Sequence, residues 1–214
     1  MRKINSSLPS KILNEFDRFL KIVSSTAEKP TIATPKSSET DVILQPDDKL
    51  NVQGLMRINH TGEVCAQALY YGQALFAKDR QTYRHLIKAA DDEHNHLYWC
   101  QERLDDLHTH TSWLNPLWYL GSFTLGATAA LFGDKISYGF VIEVEKQVED
   151  HLQEHIEQIP EEDHKTHAIL AQMKIDEIRH GQDAKDAGGI DLPLPVKKIM
   201  TTMSQFMKFL VYRI

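Results

Sequence analysis

Apolar residues return at intervals of three and four along most of this chain, in runs long enough to be helices. From Leu50 to Lys78, Thr82 to Leu107, Ile136 to Ile159 and Asp163 to Ala187 they keep to one helical face, without the Gly/Asn hairpin signals that separate strands. In the second run Leu86, Glu93, Cys100 and Leu107 recur every seven residues, which places Glu93 on the core-facing stripe beside Leu97 and Leu104. The third run carries Val141, Val144, Val148, Leu152 and Ile159 on one side and stops at Pro160. The fourth carries Leu170, Met173, Glu177, His180 and Ala184 in register and ends at Gly188 and Gly189. The pattern predicts an all-α protein built on four long helices.

Three further stretches surround that set. A short amphipathic segment holding Ile12, Leu13, Phe16, Phe19 and Leu20 precedes a Pro/Ser/Thr-rich connection, residues 28–48. Residues 1–48 therefore read as an N-terminal appendage, and 49–214 as one helical domain. Thr111 to Gly133 contains no Asp, Glu, Lys, Arg or His. From Pro116 onward it would reach ~27 Å as a helix, borderline for a bilayer, but a single crossing would put the helix pairs before and after it on opposite sides, so it is expected either to pack between them or to dip into one leaflet. The segment from Pro193 carries Val196, Ile199, Met200, Met203, Phe206, Met207 and Leu210 on one side, with Lys197, Lys198, Lys208 and Arg213 among its polar positions. It predicts a C-terminal amphipathic helix, either a fifth core helix or one lying on a membrane surface.

Composition narrows the function classes. At 214 residues with 42% hydrophobic side chains the chain can bury one sizeable core. A net charge of -6 gives no general attraction to phosphate backbones, so nucleic acid is not an expected partner. Two cysteines, Cys65 and Cys100, are too few for a disulfide scaffold or thiolate cage and suit a reducing, cytosolic compartment. The start of the chain lacks a continuous apolar run and carries Glu15 and Asp17, unlike a secretory signal or transit peptide.

The candidate chemistry lies in a duplication. Asp-Glu-x-x-His occurs at Asp92, Glu93 and His96 and again at Asp176, Glu177 and His180. Upstream of each, the preceding helix has a glutamate on or beside its apolar stripe, Glu63 in the first case and Glu145 in the second. The separations are 93 − 63 = 30 and 177 − 145 = 32 residues. Glu143 and Glu149 compete with Glu145, whose phase beside Val148 and Leu152 favours it. Glu and His three apart share a helix face and can reach one metal ion, with the neighbouring helix supplying another carboxylate. Four carboxylates and two imidazoles suit iron or manganese, and two divalent ions would balance four buried negative charges. Asp92 and Asp176 stand where a carboxylate can accept the outer imidazole proton of a facing histidine. His60 and His151 are expected near the site.

The segments RINHTGEVCAQALYYGQ, DDEHNH, VEKQVEDH and KIDEIRHGQD together resemble the demethoxyubiquinol hydroxylase family of ubiquinone biosynthesis, over about residues 50–214. The resemblance implies a ferritin-like fold, here a four-helix bundle to which the uncharged stretch adds an apolar connecting helix, and a di-iron monooxygenase that inserts one oxygen atom from dioxygen into a prenylated benzoquinol ring. It implies Glu63, Glu93 and His96 on one iron and Glu145, Glu177 and His180 on the other, with Glu93 and Glu177 bridging. The expected partners are the quinol, dioxygen, a membrane surface and other proteins of ubiquinone biosynthesis. The expected location is peripheral, on the cytoplasmic face of a bacterial cell membrane. No Gly-x-Gly-x-x-Gly is present, so electrons come from the quinol or an outside donor. A ferroxidase or iron-handling ferritin-like protein and a di-iron hydroxylase of a tRNA base share the ligand set and stand as alternatives.

Overall fold

The computed structural model describes residues 8–23, 30–37 and 42–214, and every regular element among them is an α-helix. The remaining residues and the side chains of 8–12 lie outside that description, which removes Ile12 and parts of the 28–48 connection from comparison. The helices are α1 (Leu8–Val23), α2 (Pro46–Phe76), α3 (Arg80–Asp106), α4 (Asn115–Leu131), α5 (Asp134–Gln158), α6 (His164–Asp186) and α7 (Leu194–Val211). α2 starts at Pro46, so the division expected between 48 and 49 falls inside its first turn. Proline fits there because its φ is already helical and its missing N–H would have had no partner, while Asp47 and Asp48 face the positive end of the helix. Asp79 caps α3 by accepting from the backbone N–H groups of Gln81 and Thr82, and Asp163 caps α6 by accepting from Thr166.

α2 packs along α3 and α4, and α5 along α6, giving two helix pairs linked by α4. A Cβ on Gly126 would stand 2.1 Å from the Leu69 carbonyl oxygen, and one on Gly72 would stand 2.2 Å from that of Phe123. The α2 and α4 backbones therefore touch at these glycines. Two apolar clusters fill the bundle. One contains Leu69, Tyr70, Leu86, Val141 and Ala184, the other Met56, Cys100, Leu104, Leu152 and Met173. Along α2, α5 and α6 the chain passes from one cluster to the other with the candidate glutamate between them; on α3 Glu93 lies between Ala90 and Leu97 of the first cluster, and the second begins at Trp99. The site is thus a polar layer held between two dry ones.

Helices α4 and α7 are apolar on more than the faces they bury. α4 buries Tyr119, Gly126, Ala129 and Ala130 but leaves Leu117, Leu120 and Leu131 exposed. The one apolar side expected for α7 is split: Met200, Met207 and Val211 are buried, whereas Ile199, Met203, Phe206 and Phe209 face outward. The stripe is wider than the contact that α2 and its neighbours can cover. Among the described residues no helix is long and apolar enough to cross a membrane. α1 places Ile22 in the core and Phe19 edge-on to Tyr119, with ring centroids 5.2 Å apart. Segment 30–37 lies on α3, where Asn95 Oδ1 accepts from the backbone N–H groups of Thr31 and Ile32 at 2.9 and 3.1 Å.

Candidate metal centre

α2 supplies Glu63, α3 supplies Glu93 and His96, α5 supplies Glu145, and α6 supplies Glu177 and His180. One ligand atom from each of Glu63, Glu93, His96 and Glu177 lies within 4.8 Å of the others, and the same holds for Glu93, Glu145, Glu177 and His180. Glu93 and Glu177 belong to both groups, so two four-residue sites are fused through two shared carboxylates. None of the six side chains belongs to a residue more than 5% exposed.

Both imidazoles turn Nδ1 inward. His96 Nδ1 stands 2.9 Å from Glu93 Oε2, 3.2 Å from Glu177 Oε1 and 3.6 Å from Glu63 Oε2. His180 Nδ1 stands 2.9 Å from Glu93 Oε1 and 3.4 Å from Glu177 Oε2. Their outer nitrogens meet aspartates across the bundle, His96 Nε2 at 3.3 Å from Asp176 Oδ2 and His180 Nε2 at 3.6 Å from Asp92 Oδ2. Once the imidazole is neutral, an Nε2–H directed at an aspartate leaves the Nδ1 lone pair facing the carboxylates. Asp176 is itself fixed by donors from Gln172 at 3.1 Å and Arg179 at 3.0 Å.

Charge in the metal-free layer is settled by protons. Burial, reinforced by the neighbouring carboxylates, pushes Glu63 and Glu145 well above the usual range, toward the neutral acid. Burial would also raise Glu93 and Glu177, but His180 and His96 outweigh it and hold both below the ordinary value. Burial works against charge on the histidines too, yet Glu93 and the other carboxylates beside them favour the protonated form of both. Two carboxylates and two imidazolium ions then cancel.

The residues present fit a pair of metal ions. Glu63 Oε2, Glu93 Oε1, Glu177 Oε2, both Glu145 oxygens and both His180 nitrogens are buried with no hydrogen-bond partner. Glu93 Oε1 and His180 Nδ1 come within 2.9 Å of each other without the alignment of a hydrogen bond. Buried carboxylate oxygens left unbonded are costly, and atoms converging on common points without bonding one another suit a cation between them. The donors are oxygen and imidazole nitrogen, which favours iron or manganese.

Of the three α5 glutamates in question, Glu145 alone enters either group. Glu143 accepts from Gln147 at 2.8 Å and lies 3.4 Å from Lys197. His60 lies outside both groups, with its Nδ1 3.4 Å from Asn115 Nδ2. His151 lines a cleft of about 140 Å³ between α2, α4, α5 and α7. Leu69, Trp118, Leu125, Val144 and Met203 make this cleft apolar, and Gly62 and Val144 bring it to the residues just before Glu63 and Glu145. Burial pushes His151 down to about 3, with His155 and Lys208 adding to the effect. Sequence reasoning passed over Gln67, one helical turn beyond Glu63 on the same face. That i, i+4 relation was the available signal.

Comparison with known proteins bears on the family. The family model for ubiquinone biosynthesis protein COQ7 matches residues 51–210. The 3-demethoxyubiquinol 3-hydroxylase of Ralstonia pickettii (strain 12J) is 47% identical over 214 residues, covering 95% of this chain and 99% of the relative. Proteins of the same name from Xanthomonas axonopodis pv. citri (strain 306) and Polynucleobacter necessarius subsp. necessarius (strain STIR1) are 50% and 48% identical, covering 88% and 95% of this chain and 85% and 98% of their own. A match over so much of the chain, with the buried acids and histidines in its span, places this protein in the COQ7 family of ubiquinone-biosynthesis proteins.

Proposed function

We propose that the protein hydroxylates the ring of demethoxyubiquinol, a prenylated methoxybenzoquinol, with dioxygen at a pair of iron ions. Glu63, Glu93, His96 and Glu177 would hold one ion and Glu93, Glu145, Glu177 and His180 the other. The observation that carries the reading is the apolar cleft set against two carboxylate-fused ligand groups. Its volume of about 140 Å³ is that of one aromatic ring, since an apolar cavity of ~150 Å³ accepts benzene. The relatives' shared name supports the choice of ring.

Bound iron supplies the activation of dioxygen that a quinol ring does not achieve unaided. The chain's own residues do the rest. Asp92 and Asp176 hold the two histidines in the tautomer that presents Nδ1. Trp118, Leu125 and Met203 exclude water from the ring, and neutral His151 offers a nitrogen that can accept from a quinol hydroxyl without adding charge. In balance, a ring C–H, dioxygen, two protons and two electrons become a ring C–OH and one water. The electrons come from the quinol or from an outside two-electron donor.

The prenyl tail leaves between α4 and α7, where Trp118 and Phe206 meet edge to face at 6.4 Å. Leu117 and Leu120 on α4 and Ile199, Met203, Phe206 and Phe209 on α7 are exposed on those helices. Such a surface suits peripheral docking on the cytoplasmic face of a bacterial cell membrane, each side chain entering lipid contributing ~1.5–3 kcal/mol. The same face could receive other proteins of ubiquinone biosynthesis. Lipid extracts of cells lacking the protein test the whole reading. Demethoxyubiquinone should accumulate, and the wild-type chain but not Glu177→Ala should restore ubiquinone; normal ubiquinone in the deletion would end the proposal.

A further inference from the structure

A second cavity, bounded by α1, α2, α3 and segment 30–37, has about 380 Å³ against about 140 Å³ for the apolar cleft. The two lie on opposite sides of α2. At 100° per residue Gly62, Cys65, Ala66 and Leu69 gather on one face, Gln67 and Tyr71 point roughly the other way, and Glu63 falls between. The α3 side of the second cavity includes Leu97, the residue after His96. The cavity therefore approaches the ligand layer from the side that the quinol does not use.

Its wall sets the polar side chains of Arg18, Thr31, Gln67, Tyr71 and Asp91 among the apolar surface of Ile22 and Leu97, and it carries no surplus charge that calls for an ion. Arg18 is bonded to Glu15 at 2.5 Å, and Lys21 lies 3.3 Å from Asp17. The unanswered group is Gln67. The residue is 1% exposed, it lines the cavity, and its Nε2 has no hydrogen-bond partner. A buried N–H left without an acceptor is costly, whereas a water on it removes the cost, and the cavity has room for on the order of ten waters at ~30 Å³ each.

We infer that this cavity is the aqueous port of the metal centre, with Gln67 the positioning residue that holds its innermost water beside Glu63. The inference rests on the hydroxylase reading, in which each turnover releases one water and, where an outside donor supplies the electrons, takes up two protons. A quinol seated in the apolar cleft closes that side to solvent. Protons then enter, and water leaves, through the hydrated cavity, while the greasy substrate never shares the path. Gln67 acts through water and touches neither quinol nor reacting atoms.

Water relaxation dispersion on the metal-free full chain tests the port without reference to turnover. Wild type should show at least one more long-lived internal water than Gln67→Leu, and Gln67→Asn should keep it; equal numbers in wild type and Gln67→Leu would overturn the inference. In the iron-loaded enzyme, Gln67→Leu should lower kcat about tenfold and raise its solvent isotope effect, with quinol KM and iron content unchanged and Gln67→Asn partly restored. An unaltered isotope effect, or a loss confined to KM, would count against the port. If ubiquinone is normal in cells lacking the protein, the hydroxylase reading fails first, and the water count still decides whether Gln67 holds water.

Discussion

Glu93 and Glu177 belong to both ligand groups, whereas Glu63 and Glu145 each belong to one, so their removal differs in kind. Purified Glu177→Ala should lose both metal ions and Glu63→Ala should keep about one, by elemental analysis. Two ions retained in Glu177→Ala would remove the shared-carboxylate assignment. Protons report on the same residues. In the metal-free chain His96 and His180 are held protonated, and Glu63 and Glu145 are pushed toward the neutral acid. Two divalent ions must displace those protons, so loading at neutral pH should release about two to four per chain and affinity should rise with pH. Calorimetry in buffers of different ionisation enthalpy measures the release; none at all would mean that the layer is not protonated as described. The separation of roles among Glu143, Glu145 and Glu149 was legible as a preference in phase. The Lys197 contact that occupies Glu143 was not, because it depends on where α7 docks.

Helices were the most legible level, since a 3.6-residue period and a duplicated Glu-x-x-His are local signals. What escaped were features set by contact between distant segments. The α7 stripe reads as one face in sequence, but Met200 and Met207 turn inward while Ile199, Met203 and Phe206 do not. Gly121 and Gly126 lower the hydropathy of the connecting helix alike, and nothing local distinguishes them. In the fold a Cβ on Gly121 meets nothing within 4 Å, while one on Gly126 would collide with the Leu69 backbone. Backbone cannot yield as a side-chain tip does, so Gly126→Ala must push α4 off α2 at ~1–3 kcal/mol. α4 also walls the apolar cleft through Trp118 and Leu125. Gly126→Ala should therefore melt lower by ~2–4 °C per kcal/mol and raise quinol KM while still binding two metal ions; Gly121→Ala should do neither. Equal behaviour of the two variants in calorimetry would show that the close approach does not set the cleft.

On the scale of the whole molecule, the polar layer lies between two apolar clusters, so stability and chemistry make opposite demands on the same four helices. α4 and α7 lie outside that conflict and can leave apolar faces bare. A polyprenyl quinol is practically insoluble in water, and in the proposed reaction its ring must reach the cleft without its tail crossing solvent. A surface that rests in one leaflet solves this with a few side chains, because each contributes ~1.5–3 kcal/mol on entering lipid. Leu117 and Leu120 are the informative positions on α4, 62% and 55% exposed, whereas Leu125 is half-buried against the core and would confuse folding with docking. The double variant Leu117→Asp with Leu120→Asp should bind two metal ions and melt close to wild type, since exposed substitutions away from packing usually change stability by less than ~0.5 kcal/mol. It should no longer float with phospholipid vesicles, and its KM for long-tailed quinol should rise about tenfold while a short-tailed analogue is turned over nearly as before. If the variant floats as well as the wild type, α4 is not the docking face. If the wild-type chain itself never floats, the membrane-docking proposal fails.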